Sequence, residues 1–127
     1  MTIRIELEPF DIENKDRCIH IIALLVPLFK EYYNSKKTPE EPEFNFNFTE
    51  FIQDWWKGEK VLLLAYDDDT LIGFLYAQKR SNLFSSLPEL RVKYEYVNVG
   101  YPTVIENLRT YAAQLLPMFG CVILSGD

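Results

Sequence analysis

A chain of 127 residues can bury one sizeable hydrophobic core and has no room for two ordinary domains, so residues 1–127 read as a single domain. With 48% apolar, 15% aromatic and 25% charged residues, it is not a mainly disordered chain. A net charge of −6 and a pI near 4.8 argue against a partner held by phosphate neutralisation, so no nucleic acid is expected, while a basic partner surface is compatible.

The opening "MTIRIELEPF" lacks the basic start and apolar core of a signal peptide. Residues 2–8, "TIRIELE", alternate with Ile3, Ile5 and Leu7 on one face and predict a first strand. From Ile12 to Tyr33 the apolar positions Ile19, Ile22, Val26, Phe29 and Tyr33 recur at intervals of three and four, with Ile21, Leu25, Leu28 and Tyr32 widening the stripe. That spacing predicts a strongly buried helix, with Pro27 kinking or dividing it. The apolar run at 18–29 is too short to span a bilayer, and no membrane partner is expected.

Residues 34–48 hold two prolines and a run of acids and read as a loop. "TEFIQDWWKGEK" predicts a short helix capped by Thr49 or Asn47 and ended by Gly58. "VLLLAY" and "LIGFLYAQ", joined by Asp67, Asp68, Asp69 and Thr70, predict a central hairpin covered on both faces. After a connection at 79–90, "RVKYEYVNV" predicts a long strand. A turn at Gly100-Tyr101-Pro102 leads into a helix over 102–116, with Pro102 at its first position and Val104, Leu108, Tyr111, Ala112 and Leu115 inward. Pro117 and Gly120 end it, and "CVIL" at 121–124 predicts a last strand. The order is β-α-α-β-β-β-α-β.

Cys18 and Cys121 have neither a CxxC spacing nor accompanying histidines, so no metal site is expected and both read as buried reduced thiols, which fits an intracellular, cytoplasmic location. The single histidine, His20, is expected to cap or partly bury itself in the first helix. Asp67, Asp68 and Asp69 lack the spacing of a calcium loop and read as a solvated turn. In "EFNFNFTEF" aromatic and polar residues alternate, so Phe44, Phe46 and Phe48, with Trp55 and Trp56, form either an interface for a partner or a flap on the chain's own core.

The element order, together with "DDDTLIGFLYAQ" and its Leu71, Ile72, Gly73, Phe74 run, resembles the GNAT acetyltransferase superfamily. The resemblance implies an α+β fold with a mixed, mostly antiparallel sheet flanked by helices. It also implies that the turn after the fourth strand would hold the pyrophosphate of acetyl-coenzyme A through the backbone of Val99, Gly100, Tyr101, Thr103 and Val104. Glu95 would then stand where such enzymes often place a general base, although Lys93 and Glu95 at period two also read as one solvated face. The turn departs from the family pattern of Gln or Arg, two residues, Gly, one residue, then Gly or Ala. Whether Val97 or Val99 is taken as the last strand position, residues 103–107 stand where the glycines belong, and no Arg or Gln occurs between Val97 and Leu108. Glu106 adds a negative charge where an anion would sit.

The family also continues past its fifth strand, with a helix that often supplies a proton-donating Tyr, for which this sequence offers no counterpart. The expectation is therefore a pseudoenzyme: a GNAT-like protein with a lost or atypical acetyl-coenzyme A site and no cofactor. It would act as a non-catalytic binding or assembly protein with a protein partner or as a homo-oligomer, for instance in a phage virion or on a host factor. The alternative is an acetyl-coenzyme A-dependent N-acetyltransferase of an amine, completed by a dimer partner.

Overall fold

Five strands pair in chain order into one sheet: β1 (Ile3–Glu8), β2 (Lys60–Asp67), β3 (Thr70–Arg80), β4 (Glu89–Val97) and β5 (Ile123–Gly126). The first four are antiparallel and β5 runs parallel to β4. Helices α1 (Lys15–Lys36) and α2 (Phe48–Trp56) separate β1 from β2, and α3 (Val104–Gln114) with a 3-10 turn (Leu116–Phe119) separates β4 from β5. The computed structural model describes every residue except Met1, Ile12, Gly58, Asn82, Leu83, Ser85 and Asp127. The order β-α-α-β-β-β-α-β and the mixed, mostly antiparallel sheet are those the sequence predicts.

The continuous apolar runs of β2 and β3 follow from cover on both faces of the sheet. Leu62, Leu64, Phe74 and Tyr76 pack under α1 and α2, while Leu63, Leu75, Leu90 and Leu108 form a second core under α3. Gly73 sits where β4 comes closest. A Cβ there would lie 2.9 Å from the carbonyl oxygen of Tyr96, so the Gly-Phe pair reflects interstrand spacing.

Several boundaries differ from the sequence reading. Helix α1 starts at Lys15, because the Asn14 side chain caps it by accepting from the N–H of Arg17, and Ile12 lies outside the described residues. Its buried stripe is Cys18, Ile21, Ile22, Leu25, Leu28 and Phe29, whereas Ile19 is exposed. Pro27 does not divide the helix. Pro27 and Ala23, whose carbonyl loses its donor, are both exposed, so the freed group lies on the solvent side of the helix.

Asn47, not Thr49, caps α2 by accepting from the N–H of Glu50 at 3.0 Å. That helix ends at Trp56, and Gly58 lies outside the described residues. Helix α3 begins at Val104, which leaves Pro102 in the preceding turn, and it ends at Gln114, before the 3-10 turn that carries Pro117. The fourth strand runs over Glu89–Val97, and the last strand starts at Ile123, so Cys121 is a buried residue that precedes it.

The joint between β1 and α1 is buried and polar. Glu8, 3% exposed, accepts from Arg17 at 2.6 and 3.3 Å and from the N–H of Phe10 at 3.2 Å. Phe10 adopts a positive φ of 46° and is held by edge contacts to Phe51 and Trp55. Trp55 also stacks on Tyr76, with ring centroids 6.1 Å apart, whereas Trp56 is 69% exposed. Trp55→Ala is therefore expected to cost about 3 kcal/mol and Trp56→Ala less than about 0.5 kcal/mol, compared by urea denaturation. Equal losses in the two variants would contradict this packing.

Candidate functional site

The decisive local feature is a β-bulge. Tyr76 pairs with Tyr94 but Ala77 pairs with Val92, so β4 carries one extra residue, Lys93, opposite the Tyr76-Ala77 step of β3. Lys93 and Tyr94 consequently both face α1 and α2, and Glu95 is returned to the α3 side. The sequence expectation that Lys93 and Glu95 share a face is corrected here, because period two holds only in an unbroken ladder.

Glu95 pairs with Arg109 of α3, accepting from Nε at 2.9 Å and from Nη2. It also lines a groove of about 550 Å³ at the end of β4, beside Val97, Val99, Tyr101 and Ile105. This groove is where the sequence places a coenzyme turn. Of the five candidate backbone donors, the N–H of Tyr101 donates to the carbonyl of Asn98 and that of Val104 to the carbonyl of Tyr101. Val99 is 96% exposed, Gly100 takes a φ of 105°, and Thr103 makes no side-chain cap. The nearby charge is mostly negative: Glu106 stands in the first turn of α3, Asp67 accepts from the Tyr101 hydroxyl at 2.6 Å, and Arg109 is already engaged by Glu95. A doubly charged pyrophosphate would meet a helix start without a free cation among these residues.

On the other face, α1, the 44–47 segment, α2, β3 and β4 enclose a cleft of about 330 Å³. Phe29, Tyr32, Phe46, Phe51, Tyr76 and Tyr94 supply most of its wall, and Asp54 and Lys93 are its half-buried charged groups. Asp54 accepts from the Tyr76 hydroxyl at 2.7 Å and from Lys93 Nζ at 3.2 and 3.3 Å. Burial alone would raise the Asp54 carboxyl; the bonds from Tyr76 and Lys93 and the charges of Lys93 and Lys60 outweigh it and hold it below the usual carboxylate range. Burial, and then the bond to Asp54, push the Tyr76 phenol far above its ordinary value, so it remains a neutral donor. Lys60, 8% exposed, donates to the carbonyl of Lys57 and is pushed down, first by burial and further by Lys93 and Lys57.

The sequence reading missed this cleft, since its residues are scattered over five segments. The signal available was the aromatic run of 44–51, read there as an interface or a flap. Phe46 stacks on Phe29 at 5.6 Å and Phe44 tilts against Tyr33 at 5.9 Å, so Phe44, Phe46 and Trp55 pack on this chain's own core. Phe48 and Trp56 remain exposed. His20 is exposed on α1, where Asn14 already serves as cap. Among the described residues no group of three or more His, Cys, Asp or Glu is placed to hold a metal ion, and no helix is long and apolar enough to cross a membrane.

A depressed carboxyl stabilises the fold above its unfolded value of about 3.9 and loses that contribution as pH falls through the lower folded value. The stability difference between the wild type and Asp54→Asn should therefore be largest at neutral pH and shrink below about pH 4, as read from urea midpoints across pH. A difference that grows on acidification would contradict the arrangement.

No family profile matches the sequence, and no curated protein matches it. Solved structures do. The chain superposes on an aminoglycoside acetyltransferase from an uncultured soil metagenomic sample, in complex with sisomicin, with a TM-score of 0.73 at 15% identity, covering 98% of this chain and 76% of that one. It matches a GNAT family acetyltransferase from Staphylococcus aureus with a TM-score of 0.70 at 14% identity, covering 100% and 87%. It matches AAC(6')-Iy, in complex with the bisubstrate analogue CoA-S-monomethyl-acetylneamine, with a TM-score of 0.68 at 18% identity, covering 100% and 80%. With a shared element order and near-complete coverage, the chain has the fold of the GNAT acetyltransferases.

Proposed function

We propose that this is a GNAT-fold protein that works by binding rather than by acetyl transfer, without an acetyl-coenzyme A site of ordinary affinity. The observation that carries this reading is the turn before α3, where two of the five candidate donors are spent on the turn itself and Glu106 and Asp67 stand near. The placement of Glu95 supports it too. A general base must reach the acceptor's proton, and Glu95 is bound to Arg109 on the face opposite the aromatic cleft. The partner is a protein or a second copy of the chain, and a virion or host-factor role fits this class of reading.

The second reading is an acetyl-coenzyme A-dependent N-acetyltransferase of an amine, completed by a dimer partner. Two observations favour it: the open groove at the end of β4, and the fold shared with acetyltransferases, one of them bound to a coenzyme A bisubstrate analogue.

Calorimetric titration with acetyl-coenzyme A separates the two. The binding reading expects a dissociation constant weaker than about 1 mM, and a value in the micromolar range or better would overturn it. Glu95→Gln is expected to lower stability by no more than about 1 kcal/mol, with a smaller loss in high salt, as for a surface ion pair. An acetylation activity that disappears in this variant while the fold persists would make Glu95 the base and favour the second reading.

A further inference from the structure

The aromatic cleft carries a chemistry that neither reading of the α3 turn uses. At about 330 Å³ it lies at the small end of the range for ligand sites, and its wall is dominated by aromatic rings. The bulge gives up a ladder position and turns two successive side chains, Lys93 and Tyr94, into this one cavity. Bulges that re-aim side chains are characteristic of sites.

The polar groups in the cleft differ in what they can still bind. Asp54 already has two donors, the Tyr76 hydroxyl on Oδ2 and the Lys93 ammonium shared between both oxygens, so both of its oxygens are engaged. Lys93 has three N–H donors, hydrogen-bonds with them to Asp54 alone among the described residues, lies 5.8 Å from the centroid of the Tyr94 ring, and lines the cavity with a side chain 25% exposed. Glu50 is exposed at the rim, where water screens it. The charge of Lys60, which donates to the carbonyl of Lys57, acts on the same carboxylate.

We propose that this cleft binds a small molecule with a flat apolar body and a terminal carboxylate, and that Lys93, held in place by Asp54, receives the carboxylate. The rings stack on the body, and the ammonium supplies the charge-assisted hydrogen bond. An amine of the same shape would meet the ammonium of Lys93, with Asp54 already engaged by Tyr76 and Lys93, and with Glu50 exposed to water. The inference concerns the cleft and not the turn before α3, so it stands or falls independently of acetyl-coenzyme A binding.

The test is an NMR titration of the full chain with three probes that share one body: phenylacetate, phenylethylamine and 2-phenylethanol. Phenylacetate should bind at least about tenfold more tightly than phenylethylamine, with shifts at Tyr76, Lys93 and Tyr94. Lys93→Met should erase the advantage of the acid over the alcohol, and Lys93→Arg should retain it. An amine that binds as well as the acid would overturn the proposal. So would undiminished phenylacetate binding in folded Lys93→Met, or the absence of cleft shifts with every probe up to about 10 mM. If Lys93→Met fails to fold, the acid-to-amine comparison on the wild type decides the matter alone.

Discussion

One extra residue in one strand divides this molecule's chemistry between two faces. Had β3 and β4 paired without interruption, Lys93 and Glu95 would point the same way. The register shift at Tyr76/Ala77 sends Lys93 to α2 and Glu95 to α3, each to an opposite charge on a helix. Each ion pair thus ties β4 to the helix that covers it, and the two pairs hold the bulge in place from both sides. Asp54 is what makes the inward lysine tolerable: without it a partly buried ammonium would lie beside Lys60 with no compensating charge.

The fold places few demands on the turn before α3. Identities of 14 to 18% to the acetyltransferase structures, at TM-scores of 0.68 to 0.73, mean that the course of the backbone is kept while most side chains differ. What the sheet requires is two-sided apolar cover of β2 and β3 and a residue as small as Gly73 at the closest approach of β4. Neither requirement involves the turn before α3 or the helix's first residues, which are free to carry an exposed Val99 and Glu106 at no cost to the core.

The elements were legible in the sequence because burial writes itself in period. The doubly covered hairpin reads as unbroken apolar runs, and the α1 face recurs every three to four residues, although the stripe centres on Ile21, Leu25 and Leu28 and leaves Ile19 outside. Helix starts were read within a few residues, since a cap depends on one side chain reaching one N–H, as Asn14 and Asn47 do. The position of Glu95 was legible and its direction was not. A bulge has no signature in "RVKYEYVNV", and shifting the count by one reverses every later side chain. The Asp54, Tyr76 and Lys93 cluster was hidden for a different reason: a helix, a strand and a bulge meet only after the chain has folded.

The order of the strands in space is the order in the chain, with consequences for assembly. The strands β2, β3 and β4 form a meander whose pairings are local, whereas β1 must find β2 across two helices and β5 must return to β4 across α3. Loop closure makes the distant pairings the slower ones, so the sheet grows outward from its middle. Until β1 arrives, the outer edge of β2 lies open along Leu62, Leu63 and Leu64, a row of unpaired backbone groups on an apolar strand. In a crowded solution that transient edge is where one unfinished chain would capture another. The completed rim is different: Arg4 reaches along β1 to Glu6 and over to the carbonyl of Asp68, and its guanidinium lies over the ring of Tyr66, so the finished sheet presents a charged border to its neighbours.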